Sequence, residues 1–277
     1  MNALEIKNLY KSYPGFTLDN LNLTLPGGCI LGLIGENGAG KSTTIKLILD
    51  LIRADSGSIT ILGTEHTRLN REDIGVVLDE VGIPECLTAA QVGKVMKHTF
   101  RNWDPQRFDA LLREFSLPDN KPFKEFSRGM KMKLGIAIAM SHGAKLLILD
   151  EATSGLDPVV RDEVVTMLSE FTREEGHSIL ISSHIVSDLE KLCDYIAFLH
   201  KGRLMLYEEK DVLLARYGIV YCTHEQLEVL SPAAVLHRKE NPYGAEVLVL
   251  REAVPADWKV SPVSIEELFV FMVKEAK

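Results

Sequence analysis

The 277-residue sequence predicts an α/β fold with a helical block inserted into it and a small α+β extension behind it. Three observations predict this. A nearly all-apolar run, Cys29 to Ile34, ends in a glycine-rich turn that opens a helix, as a strand buried on both faces does when it feeds a βα unit. A second such run, Leu146 to Asp150, ends in two carboxylates. Between them, from Leu87 to about Lys145, short strand-like runs give way to helical spacing.

Leu4 to Leu9 and Phe16 to Leu25 alternate apolar and polar residues, with one slip at Asp19-Asn20, which predicts half-buried antiparallel strands. The glycine-rich turn opens a helix over Lys41 to Ile52, and Gly57 to Leu62 and Ile74 to Leu78 read as short strands. The helical block divides into Thr88 to Trp103, Pro105 to Phe115 with proline in the first turn, and Arg128 to His142, punctuated at Pro118 and Pro122. Alternation then resumes: strand Leu146 to Asp150, helix Pro158 to Thr172, strand Ser178 to Ser182, helix Ile185 to Leu192, then strands Tyr195 to Leu199 and Arg203 to Tyr207. From about Val220 the tail carries a strand, Ala245 to Leu250, and an amphipathic helix, Ser264 to Lys274, opened by Ser264 with Glu267 three residues on. The apolar Leu268, Phe269, Phe271 and Met272 of that helix read as core or interface packing.

A composition of 46% hydrophobic and 25% charged residues excludes disordered, collagen-like and low-complexity chains. No apolar run approaches the roughly 20 residues that span a bilayer, and the N-terminal residues lack a secretory pattern. The four cysteines, Cys29, Cys86, Cys193 and Cys222, are scattered and fit buried thiols of a reducing cytoplasm. A net charge of −8 argues against broad nucleic-acid binding, which draws its affinity from Lys and Arg.

The chemistry concentrates in two motifs. Gly35-Glu36-Asn37-Gly38-Ala39-Gly40-Lys41-Ser42-Thr43 matches G-x-x-x-x-G-K-[ST] between a buried strand and a helix. Its backbone amides and the helix N-terminus suit phosphates, Lys41 reaches the terminal ones, and Ser42 ligates Mg²⁺. The pattern predicts a P-loop NTPase core. Asp150 and Glu151 close the apolar run Leu146 to Leu149: Asp150 is placed to hold Mg²⁺ and Glu151 to act as general base on the attacking water.

Further segments fall in order around these. Phe126-Ser127-Arg128-Gly129-Met130 stands at a helix head, Ser154-Gly155-Leu156-Asp157 follows the carboxylates, His184 follows a strand, and Tyr13 lies upstream of the glycine-rich turn. Together the motifs resemble the nucleotide-binding subunits of ATP-binding cassette (ABC) transporters, over about residues 2 to 217. In that resemblance they correspond to the signature segment, the D-loop, the switch histidine and the aromatic that stacks on adenine. A serine at a helix start is also an ordinary cap, and Tyr13 also reads as an ordinary strand aromatic.

The resemblance implies an ATPase domain over 1–217, with the helical subdomain at about 87–145 and a C-terminal extension over 218–277. It implies ATP and Mg²⁺, a second ABC ATPase subunit, identical or different, and a separate transmembrane permease. The chain is then expected in the cytoplasm, peripheral on the inner face of the cell membrane. Ser127, Arg128 and Gly129 would face the partner's γ-phosphate in trans, His184 would contact the γ-phosphate, and Asp157 would couple the two sites. The helical block from Thr88 to Lys145, with 11 Lys and Arg against 5 Asp and Glu, would meet the permease or anionic lipid, or form an ordinary solvated face.

Two departures stand out. Where the family has a glutamine after a strand such as Ile74 to Leu78, this chain has Asp79, followed by Glu80. A carboxylate can ligate Mg²⁺, but an unscreened γ-phosphate would repel it by about 4 kcal/mol at about 4 Å. Asp79 therefore either engages the metal in a closed dimer or swings away. Arg128 and Met130 also alter the signature, as in the ABC-2-type exporter branch, which includes antibiotic and peptide exporters. Arg128 either adds charge beside the partner's phosphate or points to solvent. The expected function is an ATP-hydrolysing subunit of an exporter; a soluble non-transport ABC ATPase and a weakly hydrolysing switch are the alternatives.

Overall fold

The computed structural model describes residues 1–68, 71–79 and 81–275, and Glu80 lies outside them. The chain opens on the antiparallel pair β1 (Asn2–Tyr13) and β2 (Phe16–Pro26). The slip at Asp19-Asn20 is a β-bulge: Leu9 pairs with Leu21 but Lys11 with Leu18, and Asn20 adopts a φ of 49°. The extra residue resets the phase, so Leu18, Leu21, Leu23 and Leu25 all face the core.

The apolar run forms β3 (Ile30–Ile34), and the glycine-rich turn leads into α1 (Lys41–Ile48). This helix stops one turn earlier than its periodicity suggests, because Asp50 takes a left-handed φ of 55°. The strands β4 (Ser56–Ile61) and β5 (Thr64–Glu65) complete a four-stranded sheet of order β2-β1-β4-β5, and β6 (Ile74–Val77) follows.

The inserted block contains α2 (Ala89–Thr99), α3 (Pro105–Glu114) and α4 (Arg128–Ala139). Each is started by a side chain: Thr88 with Gln91 in a capping box, Asp104 ahead of Pro105, and Ser127 on the amide of Met130. Trp103, Phe108, Phe115, Phe123 and Phe126 are buried within this block.

The second half supplies β7 (Leu146–Asp150), α5 (Pro158–Phe171), β8 (Ser178–Ser183), α6 (Val186–Leu192), β9 (Tyr195–His200) and β10 (Arg203–Glu209). With β3 and β6 they make a six-stranded sheet of order β10-β9-β3-β8-β7-β6, parallel except for β10. Alternate residues of its strands divide between two cores. Leu31, Leu33, Ile148 and Leu180 pack with β1, β2 and α1, while Leu147, Leu149, Ile179 and Ile181 pack under α4, α5 and α6.

The tail holds more structure than its sequence pattern shows. After α7 (Lys210–Arg216) come β11 (Tyr217–Cys222), α8 (His224–Val229), β12 (Val235–Asn241), β13 (Gly244–Leu250) and α9 (Ile265–Glu275). The three strands form a sheet of order β11-β13-β12. Val220, Val247 and Val249 give it a small core of its own, whereas Ile219, Leu248, Ile265 and Leu268 join the main core beside Leu189 and Phe198. Phe269 meets Phe198 edge-on at 5.2 Å, and the Glu190 carboxylate accepts from the Ile265 amide at 3.1 Å.

Among the described residues no helix is long and apolar enough to cross a membrane. All four cysteines are free; Cys193 and Cys222 are buried, but Cys29 is only half-buried and Cys86, in the turn-rich approach to α2, is exposed.

Candidate nucleotide site

A cavity of about 750 Å³ opens where β3, β7 and β8 end, the place a parallel sheet leaves for ligands. It is lined by the glycine-rich turn (Glu36, Asn37, Gly38, Gly40, Lys41, Ser42, Thr43) together with Asp79, Arg128, Glu151, Ser154 and His184. Gly15 and Phe16 close its rim. Gly35, Ala39 and Asp150 lie beneath the lining, each buried.

The turn is built for close backbone approach. Gly38 (φ +83°) has nothing within 4 Å of where a Cβ would stand, so its exposed face is open. Gly40 (φ +112°) is the N-cap of α1, and a Cβ there would stand 2.9 Å from the Phe16 ring. No side chain caps α1, so its first-turn amides remain available to an anion.

Lys41 is 6% exposed, and its ammonium donates to the Gly35 carbonyl at 2.7 Å and lies 3.2 Å from Glu151 Oε1. The other Glu151 oxygen, Oε2, is 2.7 Å from His184 Nδ1 and accepts from the His184 amide at 3.3 Å. Lysine, carboxylate and imidazole thus form one chain along the cavity wall. Glu151 is turned into it by a φ of 54°, a rare conformation for a non-glycine residue. Beneath it Asp150, 8% exposed, accepts a hydrogen bond from the Ser182 hydroxyl.

Ser127, Gly129 and Asp157 lie outside the cavity lining. The Ser127 and Asp157 side chains are exposed and cap their own helices, Ser127 on the Met130 amide at 3.2 Å and Asp157 on those of Val159 and Val160 at 3.1 Å. Arg128 makes a contact that the two sequence-based expectations did not include. It turns back within its own chain, over Gly155, and donates to Asp79 Oδ1 at 2.5 Å, both side chains being half-exposed. Asp79 is therefore held by a guanidinium, and the two departures from the family pattern answer each other.

Tyr13 closes β1, just ahead of the turn into β2. It is 39% exposed with the Lys11 ammonium 5.4 Å from its ring centroid, and it is not among the lining residues. Its cross-strand partner Phe16 takes the rim position. Sequence reading missed Phe16, although its place after the Pro14-Gly15 turn is a signal that could have found it.

The family profile described as "ABC transporter" matches residues 18–154. The lantibiotic transport ATP-binding protein SrtF of Streptococcus pyogenes is 42% identical over 211 residues, covering 75% of this chain and 91% of that protein. The chain belongs to the ABC transporter ATP-binding subunits. It is an ATPase of this family and the ATP-driven part of a transporter. The ABC transporter ATP-binding protein YtrB of Bacillus subtilis is 30% identical over 282 residues, covering 96% of this ABC subunit and 97% of that protein, so the likeness extends through the tail. A solved structure described as the ATP binding subunit of an ABC transporter superposes with a TM-score of 0.70 at 30% identity, covering 76% of this chain and 91% of that one.

Proposed function

We propose that the chain is the ATP-hydrolysing subunit of an ABC exporter, working as a head-to-tail dimer on a separate transmembrane permease at the inner face of the cell membrane. The observation that carries the hydrolytic part is the convergence of Lys41, Glu151 and His184 in one cavity. Export of a peptide-like antibiotic draws on the altered signature and on the likeness to SrtF, whose name gives lantibiotic transport. Residues 1–217 would be the ATPase domain and 218–277 its extension.

In this reading the amides of the glycine-rich turn and the uncapped start of α1 bind the phosphates, and Lys41 neutralises charge on the terminal ones. The donor types fit Mg²⁺: a buried carboxylate, Asp150, and a hydroxyl in the cavity lining, Ser42, suit an ion that keeps several waters and takes the rest of its shell from substrate phosphate. Bound there, Mg²⁺ would offset the charge that builds on the phosphate oxygens. Glu151 accepts the proton of the attacking water, and His184, bonded to its far oxygen, fixes where that carboxylate points. Ser127 accepts a bond from Met130 and keeps its own proton to donate to a phosphate of the partner's nucleotide, with the Gly129 amide beside it. Asp79 would reach the metal only in the closed dimer, after Arg128 has released it.

The test compares ATP turnover of the wild type and Glu151→Gln, with recovery of the chain from membranes when candidate permeases are co-expressed. Equal turnover in both proteins would sink the catalytic assignment. Failure to co-purify with a permease would remove the transport coupling.

A further inference from the structure

We propose that Ser182 is a positioning residue for ATP hydrolysis, holding the metal-facing Asp150 and the base Glu151 in one fixed relation through a single hydroxyl. The proposal rests on the roles given above to those two carboxylates.

Ser182 is fully buried on β8, and the parallel register sets it opposite Asp150 on β7. Its Oγ donates to Asp150 Oδ1 and accepts from the Glu151 amide at 3.3 Å, while its carbonyl accepts from the same amide at 3.0 Å. A hydroxyl has one proton. Given to Oδ1, it requires Asp150 to act as an acceptor and leaves Oδ2 as the oxygen free for another partner. The two bonds from the Glu151 amide hold the backbone just where it turns into its left-handed conformation. One side chain therefore sets both the oxygen that Asp150 presents and the direction that Glu151 takes.

The neighbouring Ser183 is an internal control. It is equally buried, but its Oγ accepts from the Ile185 amide at 2.9 Å, at the turn into α6. Adjacent serines in one strand thus point to opposite faces and do different work.

The experiment uses the full chain as Ser182→Ala, Ser182→Thr, Ser183→Ala and Asp150→Asn. Mn²⁺ binding with ADP present is followed by electron paramagnetic resonance, alongside kcat and KM for ATP and the thermal midpoint. Ser182→Ala is expected to weaken Mn²⁺ binding by about tenfold and to lower kcat with KM unchanged. Ser182→Thr, which keeps the hydroxyl, restores Mn²⁺ affinity, and Ser183→Ala leaves it at the wild-type value. Wild-type Mn²⁺ affinity in Ser182→Ala would overturn the proposal, as would an equal loss in Ser183→Ala. Should threonine not fit the buried site, the contrast between the two alanine variants decides alone. Asp150→Asn separates the levels: if it too leaves Mn²⁺ binding intact, the metal assignment fails, and if it abolishes binding while Ser182→Ala is neutral, only the positioning role fails.

Discussion

Two helix starts in this molecule carry the segments proposed to meet phosphate, and they are built in opposite ways. The start of α1 has no side-chain cap, and its lysine is 6% exposed behind a central strand. The start of α4 is capped by its own Ser127, and its arginine is half-exposed and occupied by Asp79. An uncapped helix end needs an outside anion to satisfy its amides, whereas a capped one is complete and lends only a spare proton. The first is a fixture of the sheet; the second is the surface that, in the proposed dimer, would act when another subunit arrives.

This contrast can be broken by substitution. The largest effect is expected at the buried half: Glu151→Gln should reduce ATP turnover by about 10²–10⁴ with nucleotide binding kept, measured by phosphate release beside a nucleotide titration. Ser127→Ala at the exposed half comes next. It should lower stability by about 1 kcal/mol through loss of the cap, read by urea unfolding, and weaken ATP-driven dimerisation by at least about tenfold through loss of a charge-assisted bond. Phe16→Ala should reduce nucleotide affinity more than Tyr13→Ala does; the reverse order in a binding titration would return the rim to Tyr13.

Smaller again is Arg128→Ala. An exposed ion pair is worth about 0–1 kcal/mol, so the unfolding free energy should move within that range and the change should shrink in high salt. A large loss of ATP affinity in this variant under dimerising conditions would show that Arg128 leaves Asp79 for a phosphate, and would make the second half-site more than a lent surface.

The smallest effect concerns pH. His142 stacks on Phe100 at 4.1 Å, is 1% exposed, and is held below its ordinary pKa of 6.5 by desolvation. The folded chain thus keeps it neutral while the unfolded chain takes up a proton, so stability should be lost as pH falls through about 6.5. A His142→Gln protein should show a shallower fall of thermal midpoint on acidification.

The strands and helices around the cavity were legible because their residues obey local rules: an all-apolar strand, a glycine turn with lysine and hydroxyls at fixed offsets, and proline in a first turn. What escaped depends on pairing across the chain. Asp150 meets Ser182 through strand register over 32 residues, and Asp79 meets Arg128 over 49, distances at which no periodicity survives. In the tail, β12 ends in His237-Arg238-Lys239-Glu240-Asn241, a charged edge strand with no alternation to read. The helix α7 is a two-turn segment held by Leu213 in the common core rather than by propensity.

The strand order also sets a timetable for the newborn chain. The neighbours of β3 in the sheet are β8 and β9, and the Gly28 amide just ahead of it donates to Ser178, 150 residues further on. A ribosome must therefore finish His200 and push it clear of the exit tunnel before the strand beneath the phosphate-binding turn has both its neighbours. Stalled nascent chains ending before that point should fail to retain ATP, and those ending shortly after it should hold it.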